Sequence, residues 1–304
     1  MDELIREVEN KDIPLIKDML LDVFGDEKYV YIYRLGGMTN RSYKVVREDG
    51  GTYLVRIPGE GTEQLINRLD EKKSTELACS LGIDSELIYF DDDGKKIMRF
   101  INNPQNMNQA IMKEKGNICQ AAEIFKRLHS CGVDTGVRFE VFEMAGLYEK
   151  VILDNNVDLY SDYHLLKEQI MLIKFAIDKS GNNKKVPCHN DSLVDNWVLD
   201  ENSRLWLIDW EYSGMNEPMW DLSCLSIEAD YNENEDRTLL EAYYGRKITV
   251  EENKRFVAAK IYVDYLWTLW GLTRVPYDGV FMQKYADYRY ARLKDNIICF
   301  NSSK

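Results

Sequence analysis

A chain of 304 residues that is 45% apolar and 30% charged can build one large domain or two modest lobes, and it has too many core residues to be disordered. A net charge of −13 argues against nucleic acid as a partner, because phosphate backbones require clustered Lys and Arg; it is compatible with a cationic substrate and equally with plain solubility. No run approaches the roughly 20 apolar residues of a membrane span, and the acidic opening MDELIREVENKD lacks a signal-peptide layout, so no membrane insertion is expected.

The first hundred residues read as β-rich. KYVYIYRL and RSYKVVRE flank Gly36-Gly37, and Gly50-Gly51 turns into TYLVRI, whose alternation and β-branched content predict a third strand. A helix is predicted between Glu63 and Ser80, from Leu65, Ile66 and Leu69 with Leu77 and Ala78 later, and it stops at Leu81-Gly82. SELIYF and KKIMRFI, separated by Asp91-Asp92-Asp93-Gly94, complete a five-stranded lobe with one inserted helix over residues 1–101. The Asn-rich stretch at 102–108 is the predicted hinge. Residues 109–304 then turn helical, with ICQAAEIFKRLHS, a run from Tyr160 to Asp178, another around Trp220 to Asp230, and long segments at 251–272 and 279–299. Two short apolar strands, NWVLD and RLWLID, are embedded among them. The predicted class is α+β, a bilobal protein-kinase-like fold with a β-rich N-terminal lobe and a mainly helical C-terminal lobe. Six scattered cysteines without a C-x-x-C pair suggest neither a zinc site nor a disulfide framework, and a reducing cytoplasm is the expected location.

The sharpest chemical signal is CHNDSLVDNWVLD followed by RLWLIDWEY. It carries an H-x-D-x-x-x-x-N pattern of His189, Asp191 and Asn196, with Asp209 at the end of the second strand. Phosphoryl transfer to a hydroxyl needs a carboxylate beside the attacking oxygen and oxygen ligands that hold Mg²⁺ on the nucleotide phosphates. Asp191 fits the first task, and Asn196 and Asp209 the second; His189 is expected to orient the loop. An isolated Asp in a loop is usually a turn or cap residue; the spacing, the two strands and the β-rich lobe upstream together carry the kinase reading. In the first lobe, Gly37, Thr39 and Asn40 of LGGMTN lie where backbone N–H groups can approach the phosphates of ATP. Arg56, on the third strand, is the expected phosphate-binding cation, with Glu71 as its carboxylate partner and Glu76 as second choice.

LGGMTNRSYKV, YLVRIPGEGTEQLINR, CHNDSLVDNW and LIDWEYSGMNEPMWDLS resemble the choline/ethanolamine kinase family, and the chain is most similar to its compact bacterial choline kinases. The resemblance runs from about Leu35 to the C-terminus, while the H-x-D core by itself is shared with aminoglycoside phosphotransferases. It implies ATP and Mg²⁺ as cofactors, a small cationic alcohol (choline) as substrate, Asp191 as base, and Asn196 and Asp209 as metal ligands. It also implies an acceptor pocket with Glu228, seven residues after Asp221, and Tyr231, the W-x-x-W pair Trp267 and Trp270, and the Y-x-x-Y pair Tyr285 and Tyr288. A quaternary ammonium has no N–H to donate, so aromatic faces and a diffuse negative field suit it; the same aromatics would otherwise be read as core. Ser192-Leu193 lacks a polar residue that some relatives carry two places after the base. The chain is also shorter than the eukaryotic enzymes, so their dimer contacts are not carried over and no oligomeric state is implied. Rival readings are an ethanolamine kinase, an aminoglycoside or small-metabolite phosphotransferase, and a choline-sensing pseudokinase.

Overall fold

Five strands form within the first hundred residues because β-branched and aromatic runs there favour an extended, pleated backbone. In this computed structural model, which describes residues 11–35, 40–59, 66–181 and 184–302, helix α1 (Asp12–Phe24) precedes β1 (Tyr29–Arg34), β2 (Asn40–Arg47) and β3 (Thr52–Pro58). Helix α2 (Arg68–Ser80) follows, then β4 (Leu87–Phe90) and β5 (Lys96–Arg99). The sheet order is β1-β2-β3-β5-β4 with antiparallel pairing along the β2–β3 and β3–β5 ladders. Ile16 and Leu20 of α1 pack on Tyr43, Val45, Val55 and Ile97. Burying each aliphatic side chain there is worth about 1.5–3 kcal/mol. Gly50, at φ +87°, supplies the left-handed turn between β2 and β3 that a side chain would resist.

The chain divides into two units, and the division does not follow sequence order. The first comprises the residues up to Asn106 together with Asn196–Ser213. The late segment, expected within the 109–304 lobe, joins the sheet unit for a structural reason. The two-residue β6 (Gln105–Asn106) pairs with β8 (Trp197–Leu199), which pairs in turn with β9 (Leu205–Leu207). Trp210 is fully buried and donates its indole N–H to Asp84 at 3.1 Å, which fixes the end of this hairpin.

The second unit, Met107–Asp195 with Gly214–Lys304, is helical. It contains α3 (Gln109–Met112), α4 (Lys115–His129), α5 (Val141–Asp154) and α6 (Tyr163–Lys179). After these come α7 (Pro218–Glu228), α8 (Glu233–Tyr244), α9 (Val250–Asp278) and α10 (Val280–Ser302). Between them, β7 (Val186–Cys188) and β10 (Gly214–Asn216) form a two-stranded ribbon. Capping boxes at Asn232 and Thr249 set the starts of α8 and α9, satisfying three and two otherwise unpaired backbone N–H groups respectively. Helices α5 and α8 were not among the predicted segments. Helix α2 begins at Arg68, where the Asn67 side chain accepts from Leu69 N and Asp70 N, and Glu63 to Leu65 at the start of the predicted segment lie outside the described residues. All six cysteines are free. Among the described residues no helix is long and apolar enough to cross a membrane.

Candidate active site

In the sheet unit the site is built on charge. Arg56 sits on β3 and is almost wholly buried, so its guanidinium must be neutralised locally. It pairs with Glu71 of α2, approaches Asp209 Oδ1 at 3.3 Å and donates to the Gly94 carbonyl at 3.4 Å. Glu71 is reached as well by Arg68 Nη1 (2.6 Å) and Lys96 Nζ (3.3 Å). Burial alone would raise the Glu71 carboxyl, but the charges of Lys96, Arg56 and Arg68 outweigh it and hold its pKa at about 2. Glu76, the second choice, lines a cleft of about 670 Å³ between α2 and β4 instead.

The β8–β9 hairpin brings the proposed metal ligands side by side. Trp197 faces Leu207 across it, and Ile208 N–H donates to the Asn196 carbonyl at 2.9 Å, so Asn196 stands beside the residue that precedes Asp209. Asp209 has φ +68°, an unusual backbone for a residue with a side chain and one that recurs at functional positions. Two residues on, Glu211 accepts from Asn40 Nδ2 at 3.1 Å and lies 3.6 Å from Arg68 Nη1. Burial first, and then the neighbouring Asp209 carboxylate, push Glu211 up to about 7. Carboxylate and amide oxygens are the donors a hard divalent cation takes, and Asp209, Glu211 and Asn196 carry them on this hairpin and the residues that follow it. Sequence reasoning missed Arg68, Lys96 and Glu211; the Asp-x-Glu spacing at the strand end was the one local signal for the last. Gly37 and Thr39 lie outside the described residues.

In the helical unit the catalytic loop is clamped by a single carboxylate. Asp221 of α7, fully buried, accepts from His189 N–H and Asn190 N–H, both at 2.8 Å, and from His129 Nε2 at 2.9 Å. With Nε2–H donating, His129 Nδ1 is left to accept from the Tyr243 hydroxyl at 3.0 Å. Asn190, at φ +68°, is held by Trp220 Nε1 on its carbonyl (2.9 Å) and by Asn216 Nδ2 on its side chain (3.0 Å). Asp191 follows, its N–H donating to His189 Nδ1 at 3.3 Å, which gives His189 its orienting contact and leaves the Asp191 side chain partly exposed. His129, Cys188 and Asp221 bring potential ligand atoms within 4.8 Å of one another. The histidine and carboxylate atoms are hydrogen-bonded to Tyr243, His189 and Asn190, so the cluster serves as a clamp on the loop.

The acceptor residues fall into two sets. Trp267 is 4% exposed and meets the half-buried Trp270 edge-on at 5.8 Å, and Trp270 meets Tyr285 at 5.8 Å. Glu228, the last residue of α7, reaches this aromatic group through Arg289, whose Nη2 donates to Oε1 at 2.6 Å while the guanidinium lies 4.6 Å from the Tyr285 ring centroid. A cavity of about 540 Å³ opens beside Glu228, with Met107, Leu193 and Asp195 among its walls. Tyr231 and Tyr288 are not brought into the cluster. The Tyr231 hydroxyl is spent on the Met112 carbonyl (2.9 Å), and Tyr288 is 64% exposed with its ring against Arg292. A Y-x-x-Y spacing leaves the two side chains about 60° apart round a helix; Tyr285 meets Trp270, and Tyr288 falls at the solvent-facing side of that pair.

Residues 33–268 match the family model described as choline/ethanolamine kinase. The chain belongs to the choline/ethanolamine kinase family. It is 27% identical over 266 residues to Protein LicA of Haemophilus influenzae, covering 84% of this chain and 96% of that one. The crystal structure of a choline/ethanolamine kinase family protein from Mesorhizobium loti is similar at 33% identity with a TM-score of 0.81, covering 95% of this chain and 94% of that one. That of the choline kinase LicA from Streptococcus pneumoniae is similar at 28% identity and a TM-score of 0.79, covering 94% and 98%. The family member described here is therefore a phosphotransferase with a protein-kinase-like fold.

Proposed function

We propose that this family member transfers the γ-phosphoryl group of ATP to the hydroxyl of choline, giving phosphocholine and ADP. The observation that carries the choice of acceptor is the Trp267–Trp270–Tyr285 cluster joined to Glu228 through Arg289. Its ring faces and neighbouring carboxylate suit a cation that cannot donate hydrogen bonds.

Asp191 takes the proton of the choline hydroxyl as its oxygen bonds to the γ-phosphorus, and the bond from that phosphorus to the β–γ bridging oxygen breaks, releasing ADP. Clamping the backbone at His189 and Asn190 to Asp221 fixes where that carboxylate can reach. Arg56 steadies the nucleotide phosphates, and Glu71 keeps its guanidinium in place. Magnesium, when bound, offsets phosphate charge; Asn196 and Asp209 would hold it, with Glu211 behind them.

The test is release of ADP from Mg·ATP with choline, ethanolamine and an aminoglycoside offered in parallel. Efficient turnover with choline supports the reading, and turnover confined to either other acceptor replaces it. Silence with all three favours a choline-sensing pseudokinase. The cytoplasmic setting proposed from the reduced cysteines is that of the ATP pool.

A further inference from the structure

Glu228 does not stand as a bare anion. Its Oε1 is held by Arg289 Nη2 at 2.6 Å, whereas Oε2 accepts no hydrogen bond from any described residue. Arg289 is buried, its Nη1 3.4 Å from Oδ1 of Asp264, a wholly buried carboxylate of α9. Asp264 in turn receives Arg292 on both oxygens, Nη2 at 2.6 Å and Nε at 2.9 Å. Two carboxylates and two guanidiniums are therefore linked in a chain that ends at Glu228, which itself lines the cavity. Burial works against the Arg289 charge, but Glu228, with Tyr285 and Asp264 behind it, outweighs burial and keeps the guanidinium firmly protonated. The same guanidinium covers one side of the Tyr285 ring, one helical turn earlier on α10, whose other neighbour is Trp270.

We propose that Arg289 is a positioning and specificity residue of the acceptor site, which selects a quaternary over a primary ammonium by engaging one oxygen of Glu228 and bracing the Tyr285 ring. The inference rests on the choline-kinase reading above. A primary ammonium leaving water loses three hydrogen bonds and needs acceptors to replace them. With Oε1 taken and its charge half-balanced, Glu228 offers a single oxygen. A quaternary ammonium has no such requirement, since it needs ring faces held still and a weak negative field, and both survive the pairing.

The test is steady-state kinetics of Arg289→Met and Arg289→Lys against choline, ethanolamine and ATP. Arg292 stays bidentate on Asp264, so Arg289→Met does not strand that carboxylate. Freed from its guanidinium, Glu228 presents both oxygens, and the ratio of choline to ethanolamine kcat/KM falls about tenfold in Arg289→Met, through KM, with KM for ATP unchanged. Arg289→Lys, which keeps the charge but not the fork, shifts the ratio the same way by less, and carries the test if the methionine variant fails to fold. An unchanged ratio, or an equal loss for both acceptors accompanied by a lowered Tm, makes Arg289 an ordinary structural ion pair and overturns the proposal. A wild-type chain that phosphorylates neither acceptor overturns the reading beneath it, and this inference with it.

Discussion

The two units solve the same electrostatic problem by opposite means. Around Arg56 the sheet unit gathers three cations and three carboxylates into a buried network, and the surroundings split the carboxylates: cations drive Glu71 down to about 2, while burial and then Asp209 push Glu211 up to about 7. Around Glu228 the helical unit pairs charges closely and sets aromatic rings against the Arg289 guanidinium. A polyanion such as ATP is matched by a cationic side chain and by carboxylates able to share a metal ion, whereas a small organic cation is matched by polarisable surface. Charge density in the sequence therefore marks the donor end of such an enzyme, and aromatic spacing marks the acceptor end.

The comparison breaks first at Asp191. Asp191→Ala is expected to lower kcat by about 10²–10⁴-fold with little change in Tm, since the side chain is partly exposed and its loop is held by Asp221; near-normal turnover in that variant would remove the mechanism. Glu71→Gln acts on the donor end only. It leaves Arg56, Arg68 and Lys96 without their shared anion, at a cost of about 3–5 kcal/mol, and should raise KM for ATP while choline KM stays put. Its pH dependence has a definite sign. The Glu71 carboxyl moves from 4.5 to about 2 on folding, so its contribution is complete above pH 4.5 and is lost as pH falls towards 2. The Tm difference between wild type and Glu71→Gln should narrow over that interval, and a gap that widened on acidification would contradict the assignment. Trp270→Ala is the smallest of these effects, about a tenfold rise in choline KM with ATP unaffected. Equal damage to both substrates would mean that Trp270 is only packing.

What could be read from the sequence was local. The five strands follow from alternation and turn residues, and the H-x-D-x-x-x-x-N spacing lies on the loop that it predicted because strand β8 begins directly after Asn196. The contacts that finish the site are remote in sequence and leave no periodic trace: His129 meets Asp221 across 92 residues, and Arg289 meets Glu228 across 61. Asp221 had entered the sequence reading only as a landmark from which to count to Glu228. Tyr288 shows the reverse, a spacing that fits the pattern at a position where the ring stands exposed against Arg292. Helix α8 went unread for another reason: its capping box is polar and only Leu239 and Leu240 are buried along it, so few apolar residues mark the segment.

The Asp221 clamp also ties catalytic competence to the order of assembly. The N–H groups of His189 and Asn190 have their partner on α7, and that partner is steadied by His129 at the end of α4 and, through it, by Tyr243 of α8. Both amides need α7 in place to be protected from hydrogen exchange, and α4 and α8 steady the carboxylate that holds them. The loop that carries Asp191 is thus among the last pieces to acquire its shape and should release its protons to solvent only when the whole helical unit opens. In this enzyme, exchange at two backbone amides would count the same population that turns over substrate.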